Sequence, residues 1–259
     1  MAAERDLFEE KLSRFRQLHE RRLLVIPNAW DAASARSFER AGFEAIATTS
    51  GGVAAVLGYA DHEQAPAEEM FHAATRMSRA VAVPVTADLE AGYGLPPVEL
   101  ARGAIASGVV GVNLEDTDHR GGVLMDPHRQ AERLKAFRAA AKAEGADLFL
   151  NARVDVFLRR GGDPDEQLAD GIRRARLYAE AGADCVYPLG IAGEDAITAF
   201  VRAVDVLVNV RAADTVPPLA RLAEIGVRRV TYATRLARRV FAVTDELAAE
   251  LRASVPNGS

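Results

Sequence analysis

The sequence predicts an α/β fold, a TIM-type (β/α)8 barrel formed as a single domain over residues 1–259. The length of 259 residues is typical of one such barrel. Eight short apolar runs alternate with helical patterns, as expected for a closed parallel sheet. Three of the runs end directly in charged residues, and this fold builds its sites at the carboxyl ends of its strands. The alternative is an open doubly wound sheet, but no Gly-x-Gly-x-x-Gly motif follows the first run.

The N-terminal region is predicted to form a helix over residues 5–22, because its apolar side chains recur on one helical face. These side chains are Leu7, Phe8, Leu12, Phe15 and Leu18. The first strand follows at 23–26. Asp31 then stands at a good N-cap position for a helix that ends at Gly42, since Asp is favoured at N-caps and glycine at C-caps.

The remaining elements are predicted from β-branched runs bounded by turn residues and from helical periodicity. The further strands are 45–49, 81–85, 109–114, 148–152, 184–188, 206–209 and 229–232. The further helices are 67–79, 96–107, 128–144, 161–181, a short one from 194, 215–225 and 234–253. A long loop is predicted over 53–66, and loops of this length are often functional. The polar tail 254–259 is predicted to be disordered.

Two acidic residues follow the third predicted strand. Asp88 and Glu90 belong to the segment 86–94, which reads Thr-Ala-Asp-Leu-Glu-Ala-Gly-Tyr-Gly. Residues i and i+2 of a strand point to the same side, so both carboxylates can face one site. Carboxylate oxygens suit a hard cation such as Mg²⁺. Taken alone, the pair fits a solvated loop equally well.

Other predicted strand ends also carry polar groups. Glu115 and Asp116 follow the fourth strand, and Arg153 follows the fifth. After the second strand, the Ser-Gly-Gly segment at 50–52 is predicted to form a turn whose backbone N–H groups can face an anion. The polar segment 117–126 is a candidate mobile lid, with a solvated connector as the alternative.

Composition excludes several classes of protein. The net charge of −5 and the isoelectric point near 5.6 argue against a nucleic-acid or anionic-membrane surface. Cys185 is the single cysteine, so no internal disulfide forms and nothing indicates an extracellular protein. No apolar run has the length of a membrane span, and the N-terminus lacks the apolar core of a signal peptide. We expect a cytoplasmic protein.

With these motifs in order, the chain resembles the isocitrate lyase/phosphoenolpyruvate mutase superfamily over nearly its whole length. The motifs that carry the resemblance are Thr49-Ser50-Gly51-Gly52, Asp61, Asp88-Leu89-Glu90-Ala91-Gly92-Tyr93-Gly94, Asn113-Leu114-Glu115-Asp116 and Asn151-Ala152-Arg153. That superfamily has a (β/α)8 barrel whose final helix is often exchanged between the subunits of a dimer or tetramer. The resemblance implies an enzyme that handles 2-oxo or 2-hydroxy carboxylates through enolate-type intermediates stabilised by Mg²⁺.

The resemblance also implies a role for each matched residue. The ligands of Mg²⁺, or of Mn²⁺ in its place, would be Asp88 directly and, mostly through bound waters, Glu90, Glu115 and Asp61. The substrate-binding residues would be Ser50, Gly51, Gly52 and Arg153, and Asn209 is added as a pocket lining at a predicted strand end. Arg153 and Glu115 would act in catalysis, with Arg153 stabilising negative charge on the substrate. The implied assembly is a homodimer or homotetramer.

The sequence departs from the superfamily in the segment after Asp116. The lyase branch carries Lys-Lys/Arg-Cys-Gly-His there, and its cysteine is a catalytic acid/base, whereas residues 117–122 read Thr-Asp-His-Arg-Gly-Gly. Cys185 lies on a later predicted strand and does not simply substitute, and the mutase branch's Lys and Asn-Ser loop motif is absent too. His119 or Arg120 is then the candidate source of a proton or a charge. Glu90 stands where many relatives have Asp.

The sequence is therefore compatible with three functions. The first is a Mg²⁺-dependent C–C bond lyase or hydrolase acting on a small 2-oxo or 2-hydroxy dicarboxylate. The second is phosphonate chemistry, as a phosphonomutase or phosphonopyruvate hydrolase. The third is a non-catalytic 2-oxoacid-binding protein that kept the metal site, which the missing cysteine favours and the complete set of acids opposes.

Overall fold

The computed structural model describes residues 2–20, 23–159 and 161–255, over which parallel strands form one closed sheet surrounded by helices. The strands are β1 Leu24–Ile26, β2 Asn28–Ala29, β3 Ile46–Thr48, β4 Val85–Asp88, β5 Gly111–Glu115, β6 Thr117–Asp118, β7 Val123–Leu124, β8 Phe149–Val154, β9 Cys185–Pro188, β10 Leu207–Arg211 and β11 Arg229–Thr231. The helices are α1 Ala2–Glu20, α2 Ala32–Arg40, α3 Ser50–Leu57, α4 Ala67–Ala80, α5 Pro97–Ala106, α6 Pro127–Ala143, α7 Pro164–Glu180, α8 Glu194–Ala203, α9 Leu219–Ile225 and α10 Arg235–Ser254.

The barrel closes at Pro27, the residue between β1 and β2. β1 pairs with β11, and β2 pairs with β3, so one continuous stretch of chain joins the two ends of the sheet. Proline has no N–H to donate, but the Pro27 carbonyl accepts a hydrogen bond from the Ala47 N–H at 2.9 Å. The pairs between neighbouring barrel strands are parallel, and the predicted (β/α)8 fold is confirmed.

The N-terminal helix seals the amino-terminal end of the barrel. Phe15 and Leu18 of α1 are buried at 0% and 2% exposure, in a cluster with apolar residues at the starts of the barrel strands. The ring of His19 stacks on Phe149 with 4.1 Å between ring centroids. The carboxyl-terminal end of the barrel is therefore the end left for a site.

The main difference from the predicted elements lies in residues 50–57, which form helix α3 instead of a turn and a loop. Two glycines in the first turn lower the helix propensity, so the local sequence indicated a turn. Tertiary packing decides otherwise, because a Cβ on Gly52 would lie 2.6 Å from Thr49 Cγ2 and 3.0 Å from Trp30 Cβ. Glycine lets the helix approach that wall closely.

Smaller differences concern where elements begin and end. β4 begins at Val85, four residues later than predicted, since Pro84 before it cannot donate to a ladder. α9 begins at Leu219 after Pro218, and the predicted lid contains the short antiparallel hairpin β6–β7. α10 continues to Ser254, so the predicted disordered tail starts too early, and its residues 256–259 lie outside the described residues, as do residues 21–22 of the predicted first helix.

None of the helices over the described ranges combines the length and the apolarity that a membrane crossing demands.

Candidate active site

A cavity of about 620 Å³ opens at the carboxyl-terminal end of the barrel. Residues that the sequence singled out line it together, namely Ser50, Asp61, Asp88, Glu90, Glu115 and Arg153. They follow or end β3, β4, β5 and β8. Parallel strands bring their carboxyl ends to one rim, and this is why residues far apart in sequence meet here.

Asp88 is held at this rim by groups from the neighbouring strand β3 and helix α3. Its backbone N–H donates to Thr48 Oγ1 at 2.9 Å, and the Ser50 hydroxyl donates to its Oδ2 at 2.9 Å. Its other oxygen, Oδ1, has only a long contact of 3.4 Å with the backbone N–H of Glu90. One carboxylate oxygen of Asp88 thus stays available to a ligand.

Arg153 stands between two buried carboxylates. Its Nε and Nη2 donate to the two oxygens of Asp155 at 2.6 Å and 2.9 Å, and its Nη1 pairs with Glu115 Oε2. The other oxygen of Glu115 pairs with His119 Nε2. Because Glu115 and Asp155 are 1% exposed, these contacts fix the guanidinium at the wall of the cavity.

The acids of the cavity lie close together, and burial changes their pKa values. Burial raises the pKa of Asp88, against the lowering effects of Arg153 and of the Ser50 hydrogen bond. Burial, followed by the charge of Asp88, raises the pKa of Glu90 to about 8. Burial also raises the pKa of Glu115, while Arg153 acts in the opposite direction. A cation near these groups would favour their ionised forms.

Asp116, directly after Glu115, does not line the cavity but contacts Asp155, a residue that holds Arg153. It is 0% exposed, and its Oδ1 accepts the backbone N–H of Asp155 at 2.9 Å. Its Oδ2 accepts from the Tyr178 hydroxyl at 2.7 Å and from Arg174 Nη1 at 3.0 Å. Through Asp155, this network positions Arg153, so Asp116 acts on the site without lining it.

The comparisons identify the family. The family model described as phosphoenolpyruvate phosphomutase matches residues 15–252. This chain belongs to that family. Together with its lyase relatives, the match confirms membership of the isocitrate lyase/phosphoenolpyruvate mutase superfamily.

Relatives of this family differ in their named activities. An uncharacterized protein of Mycobacterium tuberculosis is 32% identical over 84% of this chain and 80% of its own length. The 2-methylisocitrate lyase of Bacillus subtilis is 29% identical over 84% of this chain and 69% of its own. A Burkholderia cenocepacia structure, provisionally described as a phosphonomutase, is 39% identical with a TM-score of 0.85, over 94% of this chain and 99% of that one. A 2,3-dimethylmalate lyase structure is 25% identical with a TM-score of 0.84, over 96% and 90%.

Gly51 and Gly52, which are predicted to bind substrate, lie in the first turn of α3. Gly51 abuts Asp61, since a Cβ on it would lie 2.4 Å from Asp61 Oδ2, whereas Gly52 faces Trp30. First-turn N–H groups have no partner within their helix, so the predicted anion site, which stays a prediction, would lie at a helix N-terminus instead of a turn.

Asn209 is not brought to the cavity. It is 0% exposed inside the barrel, where its Oδ1 accepts from the Thr231 hydroxyl at 3.2 Å. β10 continues two residues beyond the predicted end, to Arg211, which lines the cavity in its place. Residues i and i+2 share one side of a strand, so a longer predicted strand would have indicated Arg211.

The oxygen-rich wall fits the Mg²⁺ that the superfamily implies. Asp88 offers a free carboxylate oxygen, and Asp61 and Glu90 lie on the same wall. Mg²⁺ binds few carboxylates directly and keeps several waters. Both oxygens of Glu115 are engaged by Arg153 and His119, which suits a residue that contacts the ion through water.

His62, which the sequence places in the long loop 53–66 without indicating a role, also lines this cavity. It lies in the loop between α3 and α4, and its ring is 5.0 Å from that of His119, centroid to centroid. The two histidines are far apart in sequence, and no spacing rule predicts that their loops meet.

Proposed function

We propose that this protein is a Mg²⁺-dependent lyase or hydrolase that breaks a C–C bond in a small 2-oxo or 2-hydroxy dicarboxylate through an enolate-type intermediate. The observation that carries the proposal is the free Oδ1 of Asp88 on a cavity wall that also holds the fixed guanidinium of Arg153. A cation ligand and an anion clamp thus face one cavity.

Asp88 would hold the ion directly, with Glu90, Glu115 and Asp61 arranged around its waters. When bound, Mg²⁺, or Mn²⁺ in its place, supplies a Lewis acid that stabilises negative charge developing on a substrate oxygen. Such fixed charges accelerate a reaction when they face the position where charge develops.

The substrate carboxylate would bind at the N-terminus of α3. Ser50 contributes its hydroxyl, and Gly51 and Gly52 contribute first-turn N–H groups, in a region where the helix dipole favours an anion. In this arrangement the Ser50 hydroxyl exchanges its bond to Asp88 for one to the substrate. Arg153, kept in its orientation by Asp155, then faces the opposite end of the substrate.

The catalytic loop cysteine of the lyase branch is absent from this chain. His119 is our candidate for the proton-transferring group in its place. Its ring is anchored by Glu115, a residue of the same cavity. Imidazole is a common general acid or base when it lies close to the reacting atoms. Arg120, in the next position, remains the candidate for an added charge.

Relatives support more than one reaction class. The 2-methylisocitrate lyase and 2,3-dimethylmalate lyase relatives favour C–C chemistry on a dicarboxylate. The Burkholderia relative with higher identity favours phosphonomutase or phosphonopyruvate hydrolase chemistry as the second candidate. A protein that binds 2-oxoacids without turning them over is the third, because the loop cysteine is absent.

We also propose that the protein is a homodimer or homotetramer in which α10 packs against a partner. The second half of α10 is exposed, and an apolar stripe runs along it at helical spacing. The stripe consists of Val240, Val243, Leu247 and Leu251, from 47% to 69% exposed. A cytoplasmic location stays a prediction from the sequence.

The experiment is a product screen by NMR with and without Mg²⁺, on oxaloacetate, methylisocitrate, a dialkylmalate, phosphonopyruvate and 2-oxoglutarate. Turnover of a carbon acid that requires Mg²⁺ supports the lyase or hydrolase. Turnover of phosphonopyruvate alone moves the protein to the second class, and Mg²⁺-dependent binding without product moves it to the third.

Asp88→Ala tests the metal assignment in the same assay. It should abolish Mg²⁺-dependent binding of the turned-over or bound acid, because the direct ligand is lost. His128→Ala, on the exposed face of α6, is the matched control and should bind like wild type. Equal binding by Asp88→Ala with and without Mg²⁺, at the wild-type affinity, would remove the ion from this site.

A further inference from the structure

Three side chains at the mouth of the cavity form a cluster that differs in chemistry from the oxygen-lined wall. His62, Glu90 and His119 each present one ligand atom, and these atoms lie within 4.8 Å of one another. His62 lines both the main cavity and an adjoining one that also contains His119 and Tyr93. The cluster therefore lies where the loops after β3, β4 and β5 meet.

Each member of the cluster is held by contacts outside it. The backbone N–H of Glu63 donates to Glu90 Oε2 at 2.8 Å, which leaves Oε1 of Glu90 for a ligand. Glu115 pairs with Nε2 of His119, and this contact fixes the ring. Metal-binding histidines commonly give one ring N–H to a carboxylate in this way, and the contact orients the ring.

The donor set selects the class of ion. Two imidazole nitrogens and one carboxylate suit Zn²⁺, Fe²⁺, Co²⁺ and similar transition metals, whereas Mg²⁺ prefers oxygen. Metal–nitrogen bonds of about 2.0–2.1 Å place two ligands of a tetrahedral ion about 3.4 Å apart. Starting from a largest separation of 4.8 Å, the site closes when each of the two side chains moves by about 0.7 Å.

We propose that His62, Glu90 and His119 bind a transition-metal ion at the mouth of the cavity, beside the Asp88 centre and sharing Glu90 with it. Because the two histidines belong to different loops, the ion ties these loops together across the entrance. The inference does not require the reaction proposed above, but the two share Glu90, and with the ion bound His119 is a ligand and no longer the proton-transferring group.

Cobalt titration tests the site directly. Protein first stripped of metal with a chelator is titrated with Co²⁺, whose visible ligand-field absorption reports nitrogen ligation. Wild type should bind with intensified bands, and His62→Asn and His119→Gln should each lower the affinity at least about tenfold, the lower bound for loss of a supporting group around a metal. Asparagine is chosen because His62 has a φ of 73°, a conformation that asparagine tolerates.

Two controls make the outcome decisive. His72→Ala and His128→Ala remove exposed histidines of α4 and α6 and should leave Co²⁺ binding unchanged. Asp88→Asn should abolish Mg²⁺-dependent binding of the organic acid but keep the Co²⁺ bands, so failure of one proposal is distinguishable from failure of the other. Absence of Co²⁺ bands in wild type, or wild-type affinity in the His62→Asn/His119→Gln double variant, would overturn the inference.

Discussion

Acid should destabilise this protein through His19, a histidine buried at the sealed end of the barrel. The side chain is 3% exposed, and burial, aided by the charge of Arg229, lowers the pKa of its ring from 6.5 to about 3. Nδ1 donates to the Phe15 carbonyl at 2.8 Å, while Nε2 is buried without a partner among the described residues. The folded protein therefore keeps this ring neutral.

The sign and size of the effect follow from proton linkage. Between pH 6.5 and about 3 the unfolded chain binds a proton on His19 that the folded chain does not, so the free energy of unfolding falls as pH falls. This contribution is fully present above pH 6.5. At pH 5 it is smaller by about 2 kcal/mol, from 1.36 kcal/mol for each pKa unit.

The perturbation is His19→Phe, which keeps an aromatic ring against Phe149 and cannot titrate. Urea unfolding at pH 7.5 and pH 5 gives the loss of stability for each protein, and comparing the losses cancels any packing cost of the larger ring. Wild type should lose about 2 kcal/mol more than the variant. His72→Phe, at an exposed position of α4, should behave like wild type. Equal losses in wild type and His19→Phe would refute the reasoning.

Three further predictions concern packing and assembly. Gly52→Ala should lower the free energy of unfolding by about 1–3 kcal/mol in urea titration, because its Cβ would lie 2.6 Å from a neighbouring methyl group; an unchanged midpoint would contradict the close approach. Leu247→Glu/Leu251→Glu should shift sedimentation velocity toward monomer without loss of helical circular dichroism, since both side chains are more than half exposed in one chain; an unchanged sedimentation coefficient would count against packing through α10. Arg174→Ala should lower the free energy of unfolding by about 3–5 kcal/mol, because it leaves the buried Asp116 carboxylate without its cation; a loss under about 1 kcal/mol would contradict that role.

The acids and the arginine of the cavity were predictable from sequence because a parallel barrel places every strand's carboxyl end at one rim. Asp88, Glu115 and Arg153 end or follow apolar runs, and that position alone brings them together once the sheet closes. The same rule placed Asn209 wrongly, because strand β10 extends two residues beyond the end that the apolar run predicts.

The sequence did not predict the parts of the site that depend on long-range contacts. α3 forms in spite of its glycines because glycine lets the helix pack closely against Trp30 and α10. His62 and His119 meet because two loops fold toward each other, and loop paths are set by contacts such as that of Glu63 with Glu90. Local propensity contains no information about such contacts.

By itself, then, the amino-acid order determined the barrel, its strand order and the set of acids at one end, since each follows from alternation of apolar runs with helices. Tertiary structure alone decided which oxygens stay free, how Glu115 divides its two oxygens between Arg153 and His119, and where the histidines meet. Those outcomes depend on distances of a few ångströms between distant segments, which only the packed chain defines.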